Sequence, residues 1–175
     1  MVNSRLEAEK YMTHEDMLNE IEIFRNIAIT ALNINITTKM NDNSLNEPFC
    51  DWCDKGWPQY IPAQESGIYL MRWPKDVVVY IGKATENNMG AEIWGKFKTP
   101  KILDEQKNFY QSCYLSETNY PNISPELRQA ICHGKIFLTT VVINYREVSS
   151  LLEVYLQTVY QLKMKELPVL NKRIG

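Results

Sequence analysis

A chain of 175 residues, 45% of them apolar, is long enough to bury a core and short enough to fold as one domain. No apolar run approaches the ~18 residues of a membrane span, and the opening Met1-Val2-Asn3-Ser4-Arg5-Leu6-Glu7 lacks the apolar centre of a signal peptide. The expected location is the cytoplasm, or the nucleus in a eukaryote. The net charge of −2 hides an asymmetry: residues 1–66 hold 5 Lys/Arg against 11 Asp/Glu, and residues 67–175 hold 14 against 10. The second part has the local positive balance that phosphate binding requires, although a solvated mixed-charge surface would show it too.

Thr13-His14-Glu15-Asp16 has the form of a helix start, with Thr13 as N-cap and acids in the first turn. Met17, Ile21, Phe24, Ala28 and Leu32 follow at helical spacing, so an amphipathic helix is predicted over roughly 14–33. His14 is expected to be solvated or to assist the cap. Asn35, Asn41, Asp42, Asn43, Ser44 and Asn46 then read as an irregular polar stretch. Residues 48–62 mix Phe49, Trp52, Trp57 and Tyr60 with prolines and glycine, as in a loop that covers apolar surface. Cys50-Asp51-Trp52-Cys53 lies within it. A zinc clip with two of Cys113, Cys132 and His133 is conceivable, but the distant ligands are not at zinc-finger spacing, and reduced thiols are the simpler reading.

The next stretch runs Gly67-Ile68-Tyr69-Leu70-Met71-Arg72-Trp73-Pro74-Lys75-Asp76-Val77-Val78-Val79-Tyr80-Ile81-Gly82. Two β-rich runs flank a Pro-Lys-Asp connection, which predicts a hairpin. Centred near Pro74-Lys75, it would set Tyr69 and Tyr80 nearly opposite each other. A short helix is expected over Met89–Lys98, ended by Thr99-Pro100. Residues 101–134 read as an insertion with a helix at 124–132, capped by Ser124 with Pro125 in its first position. Residues 135–143 form a long β-branched run, the third predicted strand. Ser149 or Ser150 is expected to cap a last helix running to about Glu166, with Glu153 in its first turn.

The order Gly-Ile-Tyr, Tyr-Ile-Gly, a glutamate on a later helix and a C-terminal asparagine resembles the GIY-YIG nuclease family, on Tyr69, Tyr80, Glu153 and Asn171. The resemblance spans residues 67–171. It implies an α+β fold with a three-stranded antiparallel sheet flanked by helices. Residues 1–66 would then be an N-terminal helical and aromatic-rich extension, and 67–175 the nuclease domain. It also implies a magnesium-dependent endonuclease, a hydrolase acting on phosphodiester bonds in DNA, with Mg²⁺ or Mn²⁺ bound at Glu153, one ion per site. Tyr69 or Tyr80 would position or deprotonate the attacking water, aided by a cation such as Lys83, since a free phenol titrates near ~10. Asn171 would orient the groups around the metal. Each tyrosine is otherwise an ordinary half-buried sheet residue.

The family's arginine on the helix after Tyr-Ile-Gly is missing: no arginine lies between Arg72 and Arg128. Lys96 stands nearest by position, with Lys98 second, and Arg128 or Arg146 could enter from elsewhere. Lysine supplies a point charge without the guanidinium fork. Lys83, Lys98 and Lys101 are the expected nucleic-acid contacts. The size, the extension and the insertion resemble restriction-type members, for which a homodimer would cut both strands. Two further readings stay open: a catalytically impaired nucleic-acid-binding module on the same fold, and a zinc-bearing interaction protein built on Cys50 and Cys53.

Overall fold

The computed structural model describes residues 11–34, 36–44, 59–97, 123–132 and 135–175. In chain order the elements are α1 (His14–Leu32), β1 (Thr38–Ser44), β2 (Gly67–Arg72), β3 (Val78–Ala84), α2 (Met89–Phe97), α3 (Pro125–Cys132), β4 (Phe137–Ile143) and α4 (Arg146–Met164). The fold is α+β, with one antiparallel sheet in the order β1-β4-β2-β3. The sheet has four strands, not the expected three. The added strand is part of the stretch that composition marks as irregular. Its sequence, Thr-Lys-Met-Asn-Asp-Asn-Ser, lacks β-branched bulk, yet every residue from Thr38 to Ser44 finds a register partner on β4. The β-branched run of β4 would otherwise present an open edge, and a short polar strand covers it.

The sheet separates two cores. On one face Ile68, Leu70, Val78, Ile81, Val141 and Ile143 meet Met17, Phe24 and Ala28 of α1 and Val148, Leu152 and Leu156 of α4. On the other, Tyr69, Met71, Tyr80 and Leu138 meet Met89 and Ile93 of α2 and Leu127 and Ile131 of α3. β2 is buried on both faces along its whole length, so it reads as a continuous apolar run rather than an alternating one. Among the described residues no helix is long and apolar enough to cross a membrane.

The helix starts follow local chemistry. Thr13 is the N-cap expected at α1, and with Asp16 it forms a reciprocal capping box. Ser124 caps α3 through its hydroxyl, which accepts from the Leu127 N–H at 3.1 Å. The last helix begins earlier than its serines suggest. Tyr145 is the N-cap and makes no side-chain cap bond, Ser149 is buried inside the helix, and Glu153 lies in the third turn rather than the first. Val148, Leu152 and Leu156 are drawn onto the sheet, and this packing outweighs the capping preference of serine. Glu20 fastens α1 to α4, accepting from Tyr155 Oη at 2.8 Å and Lys163 Nζ at 2.7 Å. Burial raises its pKa, but these two bonds outweigh that and hold it below the usual carboxylate value.

A polar cluster closes the far end of β2. Arg72 is 1% exposed; it donates to Lys75 O at 2.7 Å, pairs with Asp42 of β1 and stacks over the Phe137 ring at 5.5 Å. Asp42 also accepts from Thr139 Oγ1 at 2.9 Å, and that hydroxyl meets His14 Nε2 at 3.0 Å. His14 is therefore not a solvated capping helper. It joins α1 to β1, β2 and β4 through this cluster.

Candidate active site

The hairpin register puts Tyr69 opposite Gly82 and Met71 opposite Tyr80, with a bulge at Val79. The two tyrosines share a face diagonally rather than directly: continued without the bulge, the Arg72–Val78 register would set Tyr80 opposite Leu70, on the other face from Tyr69, and the extra residue brings Tyr80 round to Met71 and the Tyr69 face. Their ring centroids are 5.8 Å apart. Gly82 makes this approach possible, since a Cβ there would lie 2.5 Å from Tyr69 Cζ and 2.7 Å from both Tyr69 Oη and Tyr80 Cε1. Gly67 has a different task. Its φ of +154° and the Val141 carbonyl, 2.0 Å from any added Cβ, admit only glycine between β2 and β4.

Tyr69 therefore lies across Gly82, on the strand that forms the sheet edge. Its hydroxyl is buried and has no hydrogen-bond partner of good geometry. Burial foremost, then Tyr80 and the carboxylates of Glu92 and Glu153, pushes its pKa well above that of a free phenol. The expected lowering by a nearby cation is not seen at this tyrosine: Lys83 turns to Glu153 instead. Lys83 Nζ lies 2.9 Å from Glu153 Oε2, an ion pair without hydrogen-bond alignment, so this buried carboxylate oxygen has no aligned donor. Glu153 is 6% exposed and comes from α4 on the face opposite Tyr69.

Asn171, in the segment after α4, lies along the edge of β3. Its Oδ1 accepts from the Ile81 N–H at 2.9 Å and its Nδ2 donates to the Ile81 carbonyl at 2.8 Å. Gln157, one turn along α4 from Glu153, donates to that same carbonyl at 3.2 Å. The C-terminal segment thus completes the open edge of β3, helped by the Leu170 N–H to Val79 O bond at 3.0 Å. Asn171 fixes the strand that carries Tyr80, Gly82 and Lys83 and orients the site through the backbone.

Five expected residues, Tyr69, Tyr80, Lys83, Glu153 and Asn171, gather around residues 80–83 of the edge strand. Lys96 lies on α2, but its side chain falls outside the described residues, as do Lys98, Lys101, Cys50, Cys53, Cys113 and His133 and the side chain of Cys132. The zinc reading therefore has no described ligands. Arg146 stands at the start of α4, seven residues before Glu153, where it pairs with Glu86 at 3.5 Å and Glu147 at 3.1 Å. Glu92, one helical turn before Lys96, is the residue that sequence reasoning missed. Its signal in the sequence is its place on the helix that follows Tyr-Ile-Gly.

For a divalent cation the donor is one buried carboxylate, Glu153, which pairs with Lys83 at 2.9 Å. No group of three or more His, Cys, Asp or Glu side chains forms among the described residues. Such a donor fits Mg²⁺, which keeps several waters and takes one or two carboxylates, better than Zn²⁺, which needs three or four protein ligands. Comparison of the chain with protein-family models, with curated proteins and with solved structures finds no match.

Proposed function

We propose that the chain is a divalent-metal-dependent endonuclease that hydrolyses phosphodiester bonds in DNA at the β3 edge. One observation carries this reading: Tyr80, Lys83, its ion-pair partner Glu153 and a Tyr69 hydroxyl buried without an aligned partner gather around one glycine-opened strand. Buried polar atoms are left unsatisfied rarely and at a cost, and a water, an ion or a ligand can complete them. The motif order in the sequence and the basic balance of residues 67–175 support the same conclusion.

A cation held by Glu153 would supply Lewis-acid polarisation of the phosphate. The protein's own groups divide the remaining work. Tyr69, fully buried and protonated at neutral pH, acts as a hydrogen-bond donor behind Tyr80, the phenol beside it, rather than as a base. Tyr80 is the more accessible phenol, at 9% exposed against 0%, and is placed to meet that water. Lys83 supplies the local positive charge beside Glu153, the residue that would hold the cation. Asn171 and Gln157 keep the strand in place.

Plasmid incubated with the folded protein and Mg²⁺ or Mn²⁺ is expected to be cut, and Glu153→Gln to abolish the cutting. Intact plasmid under both metals would sink the proposal. One observation favours a binding module instead: Lys83 already neutralises Glu153 at 2.9 Å. That reading expects salt-sensitive DNA binding without any metal-triggered cleavage.

A further inference from the structure

A cavity of about 480 Å³ opens at the end of the sheet where β2 and α4 begin. Its volume is that of a small-molecule site. The hydrolysis proposed above uses none of its lining. Val142 and Ile143 give it an aliphatic wall, and its charges cancel, with Lys39 and Arg146 against Glu65 and Glu147. The polar walls are held in place by bonds of their own. Asn144 Oδ1 accepts from the Thr37 N–H at 3.0 Å, and Ser66 Oγ donates to Asn87 Oδ1 at 2.8 Å while accepting from the Asn87 N–H at 3.0 Å.

The charge balance decides the class of ligand. A phosphate site needs net positive charge, and two carboxylates here oppose an anion. A nucleobase is neutral and flat, and it presents donors and acceptors together. Carboxylates accept from its amino groups, a cation donates to its ring nitrogens and carbonyls, and an aliphatic wall takes its face. Position agrees with chemistry. Arg146 lines the cavity and precedes Glu153 by seven residues on α4, two turns or about 10.5 Å along one face. That is the rise of about three stacked nucleotides at ~3.4 Å each.

We propose that this cavity receives one unstacked base of the strand held at the Glu153 site, and so reads base identity a few nucleotides from the cut. The inference rests on the nucleic-acid reading above, and the two can fail separately. The test titrates the full ¹⁵N-labelled chain with each of the four deoxynucleosides and, separately, with inorganic phosphate, following backbone amides. Saturable shifts at residues 37–39, 65–66 and 144–147 are expected with one or two nucleosides and not with phosphate. Thr38→Phe, which fills the cavity from a strand position that tolerates aromatics, is expected to weaken binding at least about tenfold. Should that variant misfold, Glu147→Gln on the exposed first turn of α4 is expected to reorder the preference among the four. Absence of nucleoside shifts, equal shifts with phosphate, or binding unchanged in the folded variant would overturn the base pocket. Plasmid cleavage alongside any of these results leaves the nuclease standing, whereas nucleoside binding without cleavage keeps the pocket and removes the hydrolysis.

Discussion

Tyr69 is the residue on which structure and chemistry pull apart. A buried hydroxyl with no aligned partner destabilises the fold, and burial with two nearby carboxylates keeps it protonated. Tyr69→Phe is therefore expected to leave the protein as stable, or more stable by about 1 kcal/mol, in urea unfolding. The same change should lower plasmid cleavage by about 10²-fold or more, since a positioned donor is lost. A substantial loss of stability, or full cleavage, would show that the hydroxyl has a structural partner or no role in the chemistry. Sequence made the tyrosine visible but not its protonation state, which depends on Glu92 and Glu153, 23 and 84 residues away in the chain.

Among the elements, β3 shows best how an edge strand is closed without a neighbouring strand. Its outward backbone groups at Ile81 are taken by the amide of Asn171 instead of a neighbouring strand. Asn171→Ala removes both bonds, and a loss of about 1–2 kcal/mol is expected in denaturant unfolding, with faster hydrogen exchange at the Ile81 amide. Unchanged stability with lost cleavage would instead place Asn171 in the chemistry. β1 and α4 mark the limits of local reading. The polar sequence of β1 forms a strand only because β4 offers it an edge. The start of α4 is set by Val148, Leu152 and Leu156 reaching the sheet, a constraint that no cap signal carries.

At the scale of the whole molecule, the cluster of His14, Asp42, Thr139 and Arg72 joins α1 to three strands and makes stability sensitive to acid. Burial, with Arg72 next, lowers the pKa of His14, and this outweighs Asp42 and Asp76, which raise it; Lys75 adds slightly to the lowering. The unfolded chain binds this proton near the ordinary value of 6.5 and the folded chain only at lower pH. The stability contributed by neutral His14 is thus fully present above about pH 6.5 and is lost as pH falls from there toward the folded-state value. Urea midpoints at about pH 7.5 and 5.5 should show this loss in the wild type and a smaller one in His14→Gln, where only the other groups titrate. Equal losses in both proteins would remove His14 as the cause.

The sequence by itself determined the helices at His14–Leu32 and Pro125–Cys132, the β2–β3 hairpin and the β4 strand, because capping, periodicity and β-branched runs act over a few residues. It also named Tyr69, Tyr80, Lys83, Glu153 and Asn171. Only the tertiary structure decided how these meet. The bulge at Val79 sets the tyrosines diagonally, Gly82 opens room for one ring, and Lys83 turns to Glu153 rather than to a phenol. It decided as well that a polar stretch becomes β1 and that the charge of Glu92 acts on Tyr69. Each depends on a partner far along the chain, and burial and charge act through space, where sequence order carries no distance.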